Sequence, residues 1–478
     1  MSRNRKSRSQ AVLATMLVAV AAVVGSPAAH AASAPTFHLP FPCDEVWQVR
    51  TYSGHSPSEN ALDMKHSSGT SLGRDVIASA PGTATTVVDV YGTNGGTGYG
   101  NYVLIDHGGG WSTRYAHLDT VAIAQGDPVR VGTKIGTVGH TGNTVPSDFA
   151  HVHYEQRLNG TVKVADFDGT AWSKTYDWRS ATSTNCKMWN AAGHLADATV
   201  YSRDLLGSGA AHIDFNGDKR SDTFRATGSD FKVRYGGSGS WQTLRADSPQ
   251  ALEDLAFGDF NGDGKTDVFQ ANGSVFRVRY GGSTAWQTLS DSTAKMRKLA
   301  FGDFNGDGTT DVLRTRDGDW DVRYGGTGSW KKLSSSIYEI HELAFADFNG
   351  DGKTDAFRTT GSEWKIRWGS TGSWSTLNTG SQSLRELAFS DFSGDDKTDV
   401  LRANGSKWRI RSGGTGAWQD QTSSVELHKL ALGDFDGNSK GDVLRATGAD
   451  RWEVRYAATG SWKDLSGSTF KVNEFISG

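Results

Sequence analysis

Two histidines two residues apart, His151 and His153, stand in His151-Val152-His153-Tyr154-Glu155, a segment that reads as a strand. Side chains two apart on a strand share a face, so two imidazoles project together into one site. Far upstream lie His55 and then Asp63, introduced by Asn60-Ala61-Leu62, and His117 sits in Tyr115-Ala116-His117-Leu118. A catalytic zinc takes three protein ligands of nitrogen or oxygen type and keeps one position open for water. His55, Asp63 and one of the HxH pair meet that need, so one catalytic Zn²⁺ is expected. Such a metal brings the pKa of a water towards neutrality, and a nearby imidazole accepts or returns the proton. Spare histidines can steady the oxyanion.

A second chemistry repeats. Asp-Phe-Asn-Gly-Asp and its variants begin at Asp214, Asp259, Asp303, Asp347, Asp391 and Asp434, spaced by 45, 44, 44, 44 and 43 residues. At loop positions one, three, five and nine the third unit carries Asp303, Asn305, Asp307 and Asp311, with Gly308 allowing the backbone to curl. The other units carry Asp214, Asn216, Asp218 and Asp222; Asp259, Asn261, Asp263 and Asp267; Asp347, Asn349, Asp351 and Asp355; Asp391, Ser393, Asp395 and Asp399; and Asp434, Asp436, Asn438 and Asp442. Alternate hard-oxygen ligands suit Ca²⁺, so up to six structural ions are expected, held more weakly where Ser393 and Asn438 depart from the pattern. The plainer reading is an acidic hairpin turn.

These residues need strands to position them. A repeat period near 45 residues is that of four-stranded propeller blades. In one unit, Leu255-Ala256-Phe257 precedes the loop and Val268-Phe269-Gln270 follows it; Phe276 to Tyr280 alternates, Gly281-Gly282 turns, and Trp286 to Leu289 returns. The array therefore predicts six blades, or seven if residues 200–206 contribute. The last segment, Val472 to Ile476, resembles the strand before each loop and could close the ring by pairing with the first unit. Trp286, Trp330, Trp374, Trp418 and Trp462 recur, as do Arg234, Arg279, Arg323, Arg367, Arg411 and Arg455. They could stack sugars or bind anions. Their periodicity favours packing between blades and salt bridges to the acidic loops, because every blade needs the same contacts.

The chain has 478 residues, 59 glycines, 36 % hydrophobic residues and a net charge of −3, which fits several glycine-turned β domains. That charge gives no electrostatic case for nucleic acid. Arg3, Arg5, Lys6 and Arg8 precede an apolar run from Ala11 to Val24 and then Ala29-His30-Ala31. This reads as a signal peptide over 1–31, hence a secreted, extracellular protein. No later segment is apolar enough to span a membrane. Cys43 and Cys186 are the two cysteines, and an exported chain with an even count is expected to join them in a disulfide.

Residues from Trp47 to Glu155 resemble the M23 metallopeptidases, the lysostaphin, LytM and β-lytic group. The resemblance rests on His55, Asp63, Gly100-Asn101-Tyr102-Val103, Asp106-His107-Gly108, Tyr115-Ala116-His117-Leu118, Gly139-His140-Thr141-Gly142-Asn143 and His151-Val152-His153-Tyr154-Glu155, in that order. It implies zinc ligands His55, Asp63 and His153, and catalytic histidines His117 and His151. His107 and His140 read as structural. Seven residues separate His55 from Asp63, a longer gap than in many members and closer to the β-lytic branch. His66 therefore stays open as an alternative to His55, and Asp75 as a rival to Asp63. Residues 200–478 resemble FG-GAP/VCBS-type repeats.

The expected architecture is all-β: a peptidase domain over 37–185, a linker over 186–199 and a six-bladed propeller over 200–478. The resemblance implies a zinc endopeptidase cleaving peptidoglycan cross-links next to glycine, acting as a monomer, with a propeller for targeting or stability and a cell-wall glycan as its candidate ligand. Two other functions compete. One is a non-catalytic cell-wall or glycan-binding protein; the other is a zinc peptidase of glycine-rich soluble proteins.

Overall fold

Alternation of bulky apolar and polar residues decides the first domain. Leu62, Met64, Val152 and Tyr154 are fully buried in its core, while Asp63, His151, His153 and Glu155 turn to the opposite face. In this computed structural model the residues described are Met1 and 34–477, except 43–44, 93–94, 147, 174–175, 186–212, 251, 295, 339, 383, 404–406, 448–450 and 471–475. The expected signal peptide and both cysteines, Cys43 and Cys186, lie outside them. Among the described residues no helix is long and apolar enough to cross a membrane.

The first domain is an eleven-stranded sheet. Its path runs Arg179–Thr182, Val46–Arg50, Leu62–His66, Val152–Leu158, Trp111–Val121, Asn101–Gly108, Gly82–Val88 and Pro128–Val129. The neighbours on this path whose pairings bear on the site are antiparallel, and their register matters more than their order. Arg50 lies opposite Asp63, Asp63 opposite His153, and His153 opposite Ala116. Segments distant in sequence thus become lateral neighbours on one sheet face. The other face packs on Trp47, Val49, Val103, Ile105, Tyr115 and Leu118.

Two glycines set the site's rim. Gly100 has φ +61° and a Cβ there would lie 2.4 Å from the backbone of Thr141; Gly142 has φ +80° and its Cβ would lie 2.4 Å from the Gly100 nitrogen. Only residues without a side chain allow these two loops to touch. That contact brings the Thr141 carbonyl to His117.

Six four-stranded sheets follow, as expected. One blade consists of Ala256–Gly258, Asp267–Ala271, Val275–Arg279 and Gln287–Asp291. The first blade takes its missing strand from the far end of the chain, where Ile476 pairs with Phe224 and Ser477 with Thr223. Closure therefore uses Ile476, the last residue of the expected segment, and Ser477; Val472 to Phe475 lie outside the described residues.

Adjacent blades are joined at the acidic loops. The backbone carbonyls of Asp214, Asp259, Asp303 and Asp347 accept hydrogen bonds from Thr266, Thr310, Thr354 and Thr398 of the next blade. The ring closes where Ser221 N–H donates to the Asp434 carbonyl at 2.6 Å.

The recurrent arginines do not reach the acidic loops, contrary to expectation. Arg323, Arg367, Arg411 and Arg455 donate to the carbonyls of Asp291, Ser335, Thr379 and Thr422, at the outer edge of the preceding blade. Arg234 does the same to Gly467 across the closure. The tryptophans pack between blades too: Trp330 on Phe276, Trp374 on Trp320, Trp418 on Trp364 and Trp462 on Trp408, all edge to face. The sixth blade also touches the first domain, where Lys429 Nζ lies 2.8 Å from Asp127 Oδ1.

The arginine belt makes a measurable claim. Arg455 is 2 % exposed and donates to the Thr422 carbonyl and hydroxyl at 2.6 and 3.1 Å. Arg455→Met is expected to lower stability in urea unfolding by about 1.5–3 kcal/mol, because it removes two hydrogen bonds made by a buried charged group. An unchanged midpoint would leave the arginines no part in joining blades.

Candidate metal centre

Three side-chain atoms converge at the floor of a cleft of ≈ 560 Å³ on the polar face of the first sheet. His55 Nε2 lies 3.1 Å from His153 Nδ1 and 3.2 Å from Asp63 Oδ1, and His153 Nδ1 lies 3.4 Å from that oxygen. All three residues are buried.

The outer hydrogen bonds fix which ring nitrogens carry protons. His55 Nδ1 faces the Ala61 carbonyl at 3.1 Å, with Thr51 Oγ1 also at 3.1 Å, so Nδ1–H is the donor and Nε2 is bare. His153 Nε2 faces Glu155 Oε1 at 3.2 Å, so there Nδ1 is the bare nitrogen. The two bare nitrogens point at each other and at a carboxylate oxygen, with no donor among them. Asp63 Oδ1 is buried and accepts no hydrogen bond of sound geometry, although imidazole nitrogens of three histidines lie 3.2–3.5 Å away. We read these short distances as convergence on a common point rather than as ordinary hydrogen bonds.

A cation resolves that arrangement. Zinc with nitrogen and oxygen ligands at about 2.0–2.1 Å in tetrahedral array separates its donors by about 3.3 Å, which is the spacing seen here. Protonation tells the same story. Burial alone would raise Asp63, but His151, His153 and His55 outweigh it and hold the carboxyl well below its ordinary range. Burial would lower His153, but Asp63 and Glu155 push it up.

Two further histidines face the cleft without joining the donor set. His117 Nδ1–H donates to the Thr141 carbonyl at 2.7 Å, and His151 Nδ1–H to the Phe149 carbonyl at 2.8 Å. Each is left with a bare Nε2. Their ring centroids are 4.8 Å apart, and His151 Nε2 lies 3.5 Å from Asp63 Oδ1. Burial first, then His151 and His153, push His117 down to about 3, so it is neutral at physiological pH. Its φ of +61° is unusual for a residue with a side chain, and such strain is commonest at functional sites.

The open alternatives lie elsewhere. His66 bonds Ser68 and packs edge-on to Trp47, while Asp75 Oδ1 pairs with Lys134 at 2.7 Å. His107 is spanned between the Pro81 carbonyl and Thr113 Oγ1, consistent with a structural part.

The chain's sequence matches agree with this geometry. Residues 58–164 match the model of peptidase family M23. They form an M23 peptidase domain. Residues 303–358 match the FG-GAP-like repeat. Over 88 residues the chain is 48 % identical to DD-carboxypeptidase/endopeptidase Mpg of Neisseria meningitidis serogroup B, covering 18 % of each protein. Over 112 residues it is 30 % identical to the murein hydrolase activator NlpD of Escherichia coli K12, covering 23 % of this chain and 26 % of that one. The chain thus spans about a fifth to a quarter of these curated relatives. A solved zinc-containing peptidase from Vibrio cholerae is 23 % identical, with 28 % of this chain and 41 % of that chain covered and a TM-score of 0.21. The M23 family is zinc-dependent, and the His-Asp-His site lies within the matched residues but for His55, just before them.

The M23 domain also uses residues that the sequence motifs did not single out. Glu155 is wholly buried and ties His153 to Arg114, whose Nη1 lies 3.2 Å from both carboxylate oxygens, and to Tyr99, whose hydroxyl donates at 2.8 Å. Burial would raise Glu155, but His153, Arg114 and Tyr99 bring it down to about 2. The signal was present as alternation: Glu155 is two residues beyond His153 and shares its face.

The acidic loops look different from a set of free ligands. Asp214 Oδ1 accepts N–H bonds from Asn216, Gly217 and Asp218, and Oδ2 accepts one from Lys219. Asp222 accepts from Phe215 and Gly236. The other loops repeat the scheme with small variations. Carboxylates converge in three of them: Asp214, Asp218 and Asp222; Asp391, Asp395 and Asp399; and Asp434, Asp436 and Asp442. Two of these are the loops with departures at Ser393 and Asn438.

Because a metal-ligating histidine depends on its outer partner, Glu155→Ala is expected to weaken Zn²⁺ affinity by about 10–100-fold. Competition against a chromogenic chelator measures it. Wild-type affinity in that variant would mean Glu155 serves Arg114 alone.

Proposed function

We propose that the protein is a secreted zinc metalloendopeptidase that hydrolyses peptide bonds in peptidoglycan cross-links, next to glycine. Its catalytic domain spans 37–185, and the propeller over 200–478 targets or stabilises it. One observation carries the reading: three lone pairs converge with no donor among them, beside two histidines with bare Nε2 atoms, in an open cleft. Peptidoglycan is supported by the names of the relatives, and glycine by the family resemblance.

His55, Asp63 and His153 would hold the zinc. Bound there, it supplies Lewis-acid polarisation of the scissile carbonyl and acidifies a water. The chain's own groups do the proton work. One of His117 and His151, both anchored through Nδ1–H, would take at its Nε2 the proton that the attacking water loses and return it to the leaving amine. While protonated, that ring would offer Nε2–H to the negative charge on the carbonyl oxygen. Glu155 keeps the His153 ring in register, and the Gly100–Gly142 contact holds the carbonyl that orients His117.

The likeness to a murein hydrolase activator favours a second reading, a non-catalytic wall-binding protein. Purified peptidoglycan separates the two. Zinc-loaded protein is expected to release peptide fragments detectable by mass spectrometry, to stop on chelation and to resume with Zn²⁺. His151→Ala is expected to keep its zinc while losing at least about 100-fold in turnover. Chelator-resistant release would sink the zinc mechanism, and absence of release would leave the activator reading.

The acidic loops are proposed as Ca²⁺ sites, up to six. Burial, aided by neighbouring aspartates, raises the ninth-position carboxyls: Asp222, Asp311, Asp355 and Asp442 to about 8, Asp267 to about 7 and Asp399 to about 6. The folded state therefore holds protons that an unfolded chain with carboxyls near 3.9 releases. In chelator, stability is expected to fall as pH rises from about 4 to about 8. Ca²⁺ in place of those protons should raise the melting temperature most at the alkaline end. Melts that coincide with and without Ca²⁺ at pH 8 would reduce the loops to structural turns.

A further inference from the structure

Arg50 and Lys65 sit on the same sheet face as the metal ligands. Arg50 lies opposite Asp63 in the ladder, and Lys65 is two residues beyond Asp63 on its strand. Both cations lie against one ring, with Arg50 Cζ 4.3 Å and Lys65 Nζ 4.6 Å from the Trp178 centroid. The Arg50 guanidinium also lies 5.8 Å from the Tyr52 ring, which itself stacks on His55.

Neither cation has an anion among the described residues. Several cations of this domain are paired: Arg114 and Arg157 with Glu155, Lys134 with Asp75, and Arg74 with Glu45. Among the described residues, no carboxylate lies within ion-pair distance of Arg50 or Lys65. Arg50 Nε is buried and makes no hydrogen bond. Arg50 lines the cleft with His55 and Asp63, and Lys65 lines the adjoining hollow, which shares Phe149 with the cleft. A half-buried guanidinium held over an aromatic ring is pre-organised, and its planar fork matches a carboxylate. Two unpaired cations side by side repel each other, so an arriving anion gains from both.

We propose that Arg50, assisted by Lys65, binds a carboxylate of the peptide substrate beside the metal centre. The inference rests on the peptidase reading for its substrate and specifies it: the cleft takes a peptide with an acidic group close to the scissile bond. The carboxylate's position follows from the ladder, because Arg50 and the ligand Asp63 are cross-strand neighbours. The positive charge offsets the repulsion that Asp63 would exert on a second carboxylate.

The test uses the full, metal-free chain and titration calorimetry, so that it is independent of turnover. The probes are capped glycine-containing peptides: one with a carboxylate side chain and its amidated twin, and a second pair differing only in a free or amidated C-terminus. Wild-type protein is expected to bind the acid form of one pair about tenfold more tightly than its amide. Which pair shows the preference distinguishes a side-chain from a terminal carboxylate. Arg50→Gln should erase the preference by weakening the acid form alone, Arg50→Lys should keep part of it, and Lys65→Gln should lose part. Equal affinities within both pairs, equal losses for acid and amide in Arg50→Gln, or no binding of any peptide would each overturn the proposal. A preference that persists in protein unable to cleave peptidoglycan with Zn²⁺ would defeat the peptidase reading and leave this one standing.

Discussion

Three acceptors facing one another in a buried space are the constraint around which the first domain is arranged. Lone pairs on His55, His153 and Asp63 repel unless a cation or a proton lies between them. Keeping them there requires that every other polar atom of those side chains be fixed. The Ala61 carbonyl fixes His55, and Glu155 fixes His153. Arg114 and Tyr99 in turn fix Glu155. The site is thus a layered network in which the outer bonds decide which nitrogen faces inwards. The eleven-stranded sheet supplies the lateral register that sets 63 beside 153, and the loop before residue 62 brings in 55.

The propeller solves a different problem with similar means. Each blade alone would leave its edges and its acidic loop unsatisfied. The loop's backbone carbonyl is bonded by the next blade, its carboxylates are wrapped by its own N–H groups, and a buried arginine reaches the preceding blade. The last described strand completes the first blade, so the ring has no open seam. An aspartate that serves as a turn-former in this way is already partly satisfied, and a cation would complete the remaining coordination rather than create the fold.

The cleft between these outer bonds and the solvent is asymmetric in charge. It holds histidines with bare Nε2 atoms and also Arg50, which, with Lys65 of the adjoining hollow, lies over Trp178 with no carboxylate in ion-pair distance among the described residues. A peptide lying across it would meet proton-transfer groups and an anion-binding group on the same rigid sheet. Both are mounted on strands rather than on loops, which restricts their motion and so favours orientation over adaptability.

Much of this was legible in the chain. Period-two alternation placed His151 and His153 on one face, and the 45-to-43 spacing counted six blades. The ordered motifs named the metallopeptidase family. Local periodicity encodes which face a side chain takes, but it carries no distance between strands. Only the fold could separate His55 from His66 and Asp63 from Asp75: cross-strand register sets Asp63 opposite His153, and the loop before the Asp63 strand carries His55 to them. Nor could the sequence say that five of the six recurrent arginines bond carbonyls of the preceding blade, or that Arg50 lacks an anion among the described residues. Those are relations between segments far apart in the chain, fixed when packing chooses one partner for each charge.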